Sequence, residues 1–203
     1  TIDSKKPYLL VSSNMGICGY KSFKDKVKYQ KENGYFDRIP KLLREQILSE
    51  SNDYLKASVF IDAIKYLSEN NSGYDIIFRP HPTEEIDCWR VLLSGNSNVY
   101  VNGTGPINDW INNAFAVMHH GCTTAFEAMI SEKPVITYSP QELKGHHFHN
   151  QPPNKLGDII ESKEDLLKKT NFLFEESRNI VEKKSNNKFT SQLSEKIYLD
   201  DKE

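Results

Sequence analysis

The segments YDIIFRPHPTEE (74–85) and FAVMHHGCTTAFEAMI (115–130) decide the fold. Each opens on a short apolar run of strand character, breaks at a turn containing Pro or Gly, and continues into residues with helical spacing. Three more apolar, β-branched runs lie outside them. Strands are therefore expected at Tyr8–Ser12, Tyr74–Phe78, Asn98–Val101, Phe115–Met118 and Pro134–Tyr138. Helices are expected over Asp53–Glu69, where Leu55, Val59, Ala63, Ile64 and Leu67 recur at helical spacing, and over Glu84–Leu93, Ile107–Asn113 and Thr124–Ser131. Alternating strand and helix predicts a parallel sheet, and right-handed crossovers make it a doubly wound α/β fold. Ligands of such sheets bind beyond the carboxyl ends of the strands.

The 203 residues suffice for one large domain of this kind. Lys plus Arg total 26 against 28 Asp plus Glu, a net charge of −2, so the overall positive field used in non-specific nucleic-acid binding is missing. No apolar run approaches the roughly 18 to 20 residues that cross a bilayer, and the polar start Thr1–Lys6 lacks signal-peptide character; a cytoplasmic location is expected. Three scattered cysteines, Cys18, Cys88 and Cys122, read as reduced thiols. Tyr20–Ile39, rich in Lys, Tyr and Gly, reads as a long loop or irregular helical insertion. Ser162-Lys-Glu-Asp165 opens a helix reaching Glu176. The expected organisation is one domain over 1–176 and a helical or flexible tail over 177–203.

Three strand ends carry polar clusters that should share one rim: Ser12-Ser13-Asn14, Arg79-Pro80-His81-Pro82, and His119-His120-Gly121-Cys122-Thr123-Thr124. The last is a strand, a tight turn and a helix start, whose unpaired N–H groups and partial positive charge favour a phosphate or carboxylate. Thr124-Ala-Phe-Glu127 also fits a capping box, in which the helix satisfies its own N–H groups, and the turn alone leaves both readings open. In Arg79-Pro-His81-Pro each proline pushes its predecessor to extended geometry, so the arginine and histidine are held in fixed directions. His81 can donate to a phosphate oxygen or protonate a leaving group. The alternative is that this loop merely stops a strand, with Thr83-Glu-Glu-Ile capping the next helix. There is no GxGxxG after a strand, Walker A loop, GxSxG elbow, HExxH or Asp-x-Asp. His146-His147-Phe-His149 lacks a partner cysteine or carboxylate at clear spacing, so no metal site is assigned.

Taken together, residues 74–140 resemble the donor-binding C-terminal domain of GT-B glycosyltransferases, and more narrowly the surface carbohydrate biosynthesis proteins. Similar pairs, an Arg-x-His-Pro after one strand and a Ser-Ser or Thr-Thr turn after a later one, occur in bacterial sialyl- and Kdo-transferases and teichoic-acid glycerophosphotransferases, which use cytidine-nucleotide donors. The resemblance implies the Rossmann-like half of a GT-B fold and a metal-independent transferase without a cofactor. It also implies a CMP-linked sugar such as Kdo or another nonulosonate as donor, and a glycan of capsule or lipopolysaccharide as acceptor. Carried over, His81 and the Thr123-Thr124 turn, with His120, Gly121 and Cys122, hold the donor phosphate and Arg79 supports them. Glu127 faces the ribose, Ser139 and Pro140 close the pocket, and Ser13 and Asn14 line it. Such enzymes have a second Rossmann-like domain, so a preceding domain or partner chain is expected, with peripheral membrane association. A UDP-sugar transferase, a UDP-GlcNAc 2-epimerase-like enzyme and a non-catalytic nucleotide- or glycan-binding module are the competing readings.

Overall fold

A computed structural model describes residues 6–15, 23–34, 42–71, 73–144 and 151–200, with backbone alone over 183–200 and parts of the first two helices. His146 to His149 and Cys18 lie outside the described residues. The elements, in chain order, are β1 (Tyr8–Ser12), α1 (Phe23–Glu32), α2 (Leu42–Asn70), β2 (Asp75–Arg79), α3 (Ile86–Leu92), β3 (Val99–Val101), α4 (Ile107–Asn113), β4 (Ala116–His119), α5 (Thr124–Ile130), β5 (Val135–Tyr138), β6 (Asp158–Ile160) and α6 (Lys163–Asp200). Single 3-10 turns at Gln141–Leu143 and Pro152–Lys155 join β5 to β6.

The six strands form one sheet in the order β3-β2-β1-β4-β5-β6, and every pairing is parallel. This is the doubly wound, Rossmann-like α/β fold expected from the alternating pattern. Strand side chains alternate between two apolar layers. Leu9, Val11, Ile76, Phe78, Ala116 and Met118 face α2, α3 and α6, while Tyr8, Leu10, Ile77, Val117 and Val135 face α4 and α5. Phe60 of α2 is fully buried in the first layer, and its truncation to Ala costs about 3–5 kcal/mol.

The order of winding reverses between β1 and β4: β1 to β3 are added toward one edge of the sheet and β4 to β6 toward the other. In doubly wound sheets the ligand crevice lies at such a point, here beyond the carboxyl ends of β1 and β4. Helix α2 forms one wall of it. At about 1.5 Å per residue it is roughly 43 Å long, against about 17 Å for a five-residue strand. Among the described side chains its apolar core contacts run from Ala57 to Leu67, and Lys56 already meets the turn after β1.

Four expectations need correction. The insertion over Tyr20–Ile39 contains a regular helix, α1. A sixth strand, β6, pairs beside β5; at Gly157, just before it, φ is +68° and an added Cβ would lie 2.1 Å from Val135 O. Cys88 is disulfide-bonded, so reduced thiols throughout is wrong for that residue; separation along the chain says little about distance in the fold. Cys122 is free and buried. Finally, the helix that opens after Ser162 does not end at Glu176 but continues as α6 to Asp200. The Ser162–Asp165 box does form: Asp165 N–H donates to Ser162 Oγ (3.1 Å) and Ser162 Oγ donates to the Asp165 carboxylate (2.8 Å). No helix among the described residues is long and apolar enough to cross a membrane.

Candidate functional site

Ser12 lies opposite Arg79 on one side and His119 on the other, so the ends of β2, β1 and β4 stand side by side and point the same way. With about 4.8 Å between neighbouring strands, the turns after β2 and β4 lie roughly 10 Å apart across the turn after β1, within the span of a nucleotide. Both predicted clusters thus meet at the switch point.

The turn after β1 joins the other two. Ser13 N–H donates to Arg79 O (3.2 Å), continuing the ladder one residue past the strand. Asn14 Nδ2 donates to Gly121 O (3.1 Å), fastening the β1 turn to the β4 turn. The Ser13 hydroxyl donates to Glu84 Oε2 (2.7 Å) and accepts from His81 N–H (3.0 Å). Half-buried His81 is oriented from within its own loop. Its Nδ1 accepts from Thr83 N–H (3.3 Å) and lies 2.7 Å from Thr83 Oγ1. A ring nitrogen that accepts a backbone N–H carries no proton, so neutral His81 holds its proton on Nε2 and can donate from there to an anionic oxygen.

Across the crevice, Gly121 takes φ +73°, a conformation open to glycine at no steric cost, and its N–H donates to Asn154 Oδ1 (2.5 Å). That N–H is therefore engaged. Asn154 Nδ2 also stands 3.4 Å from Nε2 of buried His120, so the Pro152–Lys155 turn braces the β4 turn from outside. Helix α5 then starts at Thr124 with Thr123 as its N-cap, and no side chain caps it. The capping box over Thr124 and Glu127 does not form. Thr124 Oγ1 receives the Cys122 thiol (3.2 Å), and Glu127 Oε2 is buried with no hydrogen-bond partner. Thr123 is exposed at the crevice. Burial pushes the Cys122 thiol pKa up, which keeps it protonated and suits it to packing rather than nucleophilic attack.

Not every predicted residue joins the group. Arg79 turns toward α4: Nη1 donates to Thr104 O (2.8 Å), Nη2 to Gly105 O (2.5 Å), and the guanidinium stands 5.9 Å from the Trp110 ring centroid. It ties the β3–α4 loop to β2 and leaves the crevice to other cations. Ser139 is buried at the end of β5, where its N–H donates to Ile160 O (2.8 Å). Beside it in the sheet, fully buried His119 donates from Nε2 to Thr137 Oγ1 (3.0 Å), because the Thr137 hydroxyl proton is committed to Leu156 O (2.8 Å). Burial pushes the His119 pKa down to about 4.

No sequence pattern marks three further residues at this rim as site residues. Lys56 of α2 is buried, donates to Asn14 O (2.6 Å), and lies 3.9 Å from Asp53. Burial lowers its pKa, while the charges of Asp53 and Glu84 act to raise it. A cation thus stands between the β1 and β4 turns. Glu84, read as a helix cap, caps nothing, since α3 begins at Ile86 with Glu85 as its N-cap. Asn154 is the third. Among the described residues no group of three or more His, Cys, Asp or Glu could hold a metal ion.

The fold and rim define a Rossmann-like α/β domain with polar groups gathered at its switch point. No protein-family model matches the chain, and no curated protein does. Among solved structures it is similar to the UDP-GlcNAc 2-epimerase of Methanocaldococcus jannaschii, crystallised with UDP-GlcNAc and UDP, at 14% sequence identity and a TM-score of 0.43. The match covers 83% of this chain and 38% of that one, so the chain spans well under half the length of that enzyme.

Proposed function

We propose that this chain is the donor-binding half of a metal-independent GT-B glycosyltransferase of bacterial surface polysaccharide synthesis, using a CMP-activated sugar such as Kdo or another nonulosonate. The observation that carries the reading is that the turns after β2 and β4 stand on either side of the turn after β1: the first bears the Nε2–H of His81, and the second, Gly121–Thr124, opens an uncapped helix. In this reading residues 1–176 bind the nucleotide-sugar and 177–203 form a tail. A preceding domain or partner chain brings the glycan acceptor, at the inner membrane face.

The reaction breaks the bond between the anomeric carbon and the phosphate oxygen, and the nucleotide departs with the electron pair. Charge builds on its phosphate, where the His81 Nε2–H and the Thr123 hydroxyl supply pre-set donors. The acceptor hydroxyl forms the new bond and gives its proton to a base on the acceptor half. Glu127, with an unpartnered buried oxygen, faces the ribose, and Arg79 supports the rim through the Thr104–Gly105 loop.

One observation favours a second reading. Lys56, a buried cation between the two turns, suits the second phosphate of a UDP-sugar. Thermal shift with CMP, CDP and UDP separates the two, since a ligand at 100 times its Kd adds about 2.7 kcal/mol. Stabilisation by the cytidine nucleotides above UDP is expected; a clear UDP preference removes the cytidine assignment. Nucleotide binding without release of nucleotide from any activated sugar, with the acceptor half present, would make the chain a binding module.

A further inference from the structure

We infer that Glu84 is a positioning residue for His81, and this rests on the reading that His81 meets the donor phosphate. Both peptide groups of His81 are held by Glu84. Directly, Glu84 N–H donates to His81 O (2.8 Å). Indirectly, the Glu84 carboxylate takes the Ser13 hydroxyl proton (2.7 Å), and the same Ser13 oxygen accepts from His81 N–H (3.0 Å). A carboxylate only accepts, so the Ser13 proton must point to Glu84 and a lone pair must face His81. Charge on Glu84 therefore sets the polarity of the link.

The rest of the carboxylate's surroundings keep it in place. Trp89 Nε1–H donates to Oε2 (2.7 Å) and Met15 N–H to Oε1 (2.8 Å). Donors from the β1 turn, from α3 and, through Ser13, from the β2 turn converge on one side chain, and the Lys56 charge lies near enough to feel it. A glutamine of the same shape would offer an amide N–H₂ where one oxygen now receives a donor, and one of these bonds would be lost. Glu84 is buried, so it acts on a ligand through His81 rather than by touching it.

Isothermal titration with CMP on a double-mutant cycle tests this. Glu84→Gln is expected to weaken CMP about tenfold in the wild-type background, as for loss of one charge-assisted hydrogen bond, and less than about twofold in the His81→Ala background, where nothing remains to be positioned. Ser13→Ala breaks the same link while leaving the carboxylate its charge and its Trp89 and Met15 donors, and should show the same split, which keeps the inference testable if Glu84→Gln does not fold. Equal losses in both backgrounds, or no loss from either variant while His81→Ala weakens CMP, would overturn the positioning role alone. If His81→Ala binds CMP as tightly as the wild type, the site assignment fails and this inference fails with it.

Discussion

Protonation of His119 should destabilise this domain as the pH falls, and the structure sets the size of the effect. The ring is fully buried with Nε2–H committed to Thr137 Oγ1, and Nδ1 has no hydrogen-bond partner. A second proton would place an unpaired cation in the sheet's apolar layer, which is why burial pushes the pKa down to about 4 from the ordinary 6.5. The unfolded chain binds a proton below pH 6.5 and the folded chain only below about 4. Stability is therefore highest above 6.5, falls as pH drops through the interval, and levels off below 4. At about 1.36 kcal/mol per unit the full loss is about 3 kcal/mol, of which about 2 kcal/mol is gone by pH 5. The assay is urea unfolding of wild type and His119→Gln from pH 7.5 to pH 5, with carboxylate titrations cancelling in the difference. At a slope of about 2 kcal/mol per molar, the wild-type midpoint should fall by about 1 M more than that of the variant. Parallel midpoints in the two proteins would refute the reasoning.

Two further substitutions separate scaffold from site. Gly157→Ala sets a Cβ against Val135 O at a left-handed φ and should cost at least ~3 kcal/mol, read as a fall in the urea unfolding midpoint; a wild-type midpoint would contradict the β5–β6 register. Arg79→Lys gives up the fork that reaches both Thr104 O and Gly105 O, so stability should fall by about 1 kcal/mol while CMP affinity stays within about twofold. A tenfold loss of affinity with an unchanged melting temperature would return the guanidinium to the crevice.

Fold class was legible because the buried strands are continuous β-branched runs whose composition alone marks them; Tyr8–Ser12 and Ile107–Asn113 have the predicted bounds. β6 escaped because three residues, largely exposed, leave too short an apolar signature. The front of α2 escaped for a different reason. Its sequence from Arg44 to Asn52 is mostly polar, and only Ile47 and Leu48 interrupt it, which leaves too little apolar periodicity to mark a helix. At the site, the two turns could be read because proline, glycine and threonine leave local marks. Glu84 could not, since its bond to Ser13 joins residues 71 positions apart and only the sheet order brings them together. Arg79 shows the converse limit: a residue type suited to phosphate, placed by its strand parity on the α4 side of the sheet.

The central claim is that one phosphate is held jointly across the switch point by His81 and the threonine turn. Calorimetric titration of CMP into wild type, His81→Ala and Thr123→Ala tests it most directly. Binding by the wild type and a clear loss in both variants, with unfolding midpoints unchanged, is the result predicted. Equal affinity in all three proteins would contradict it.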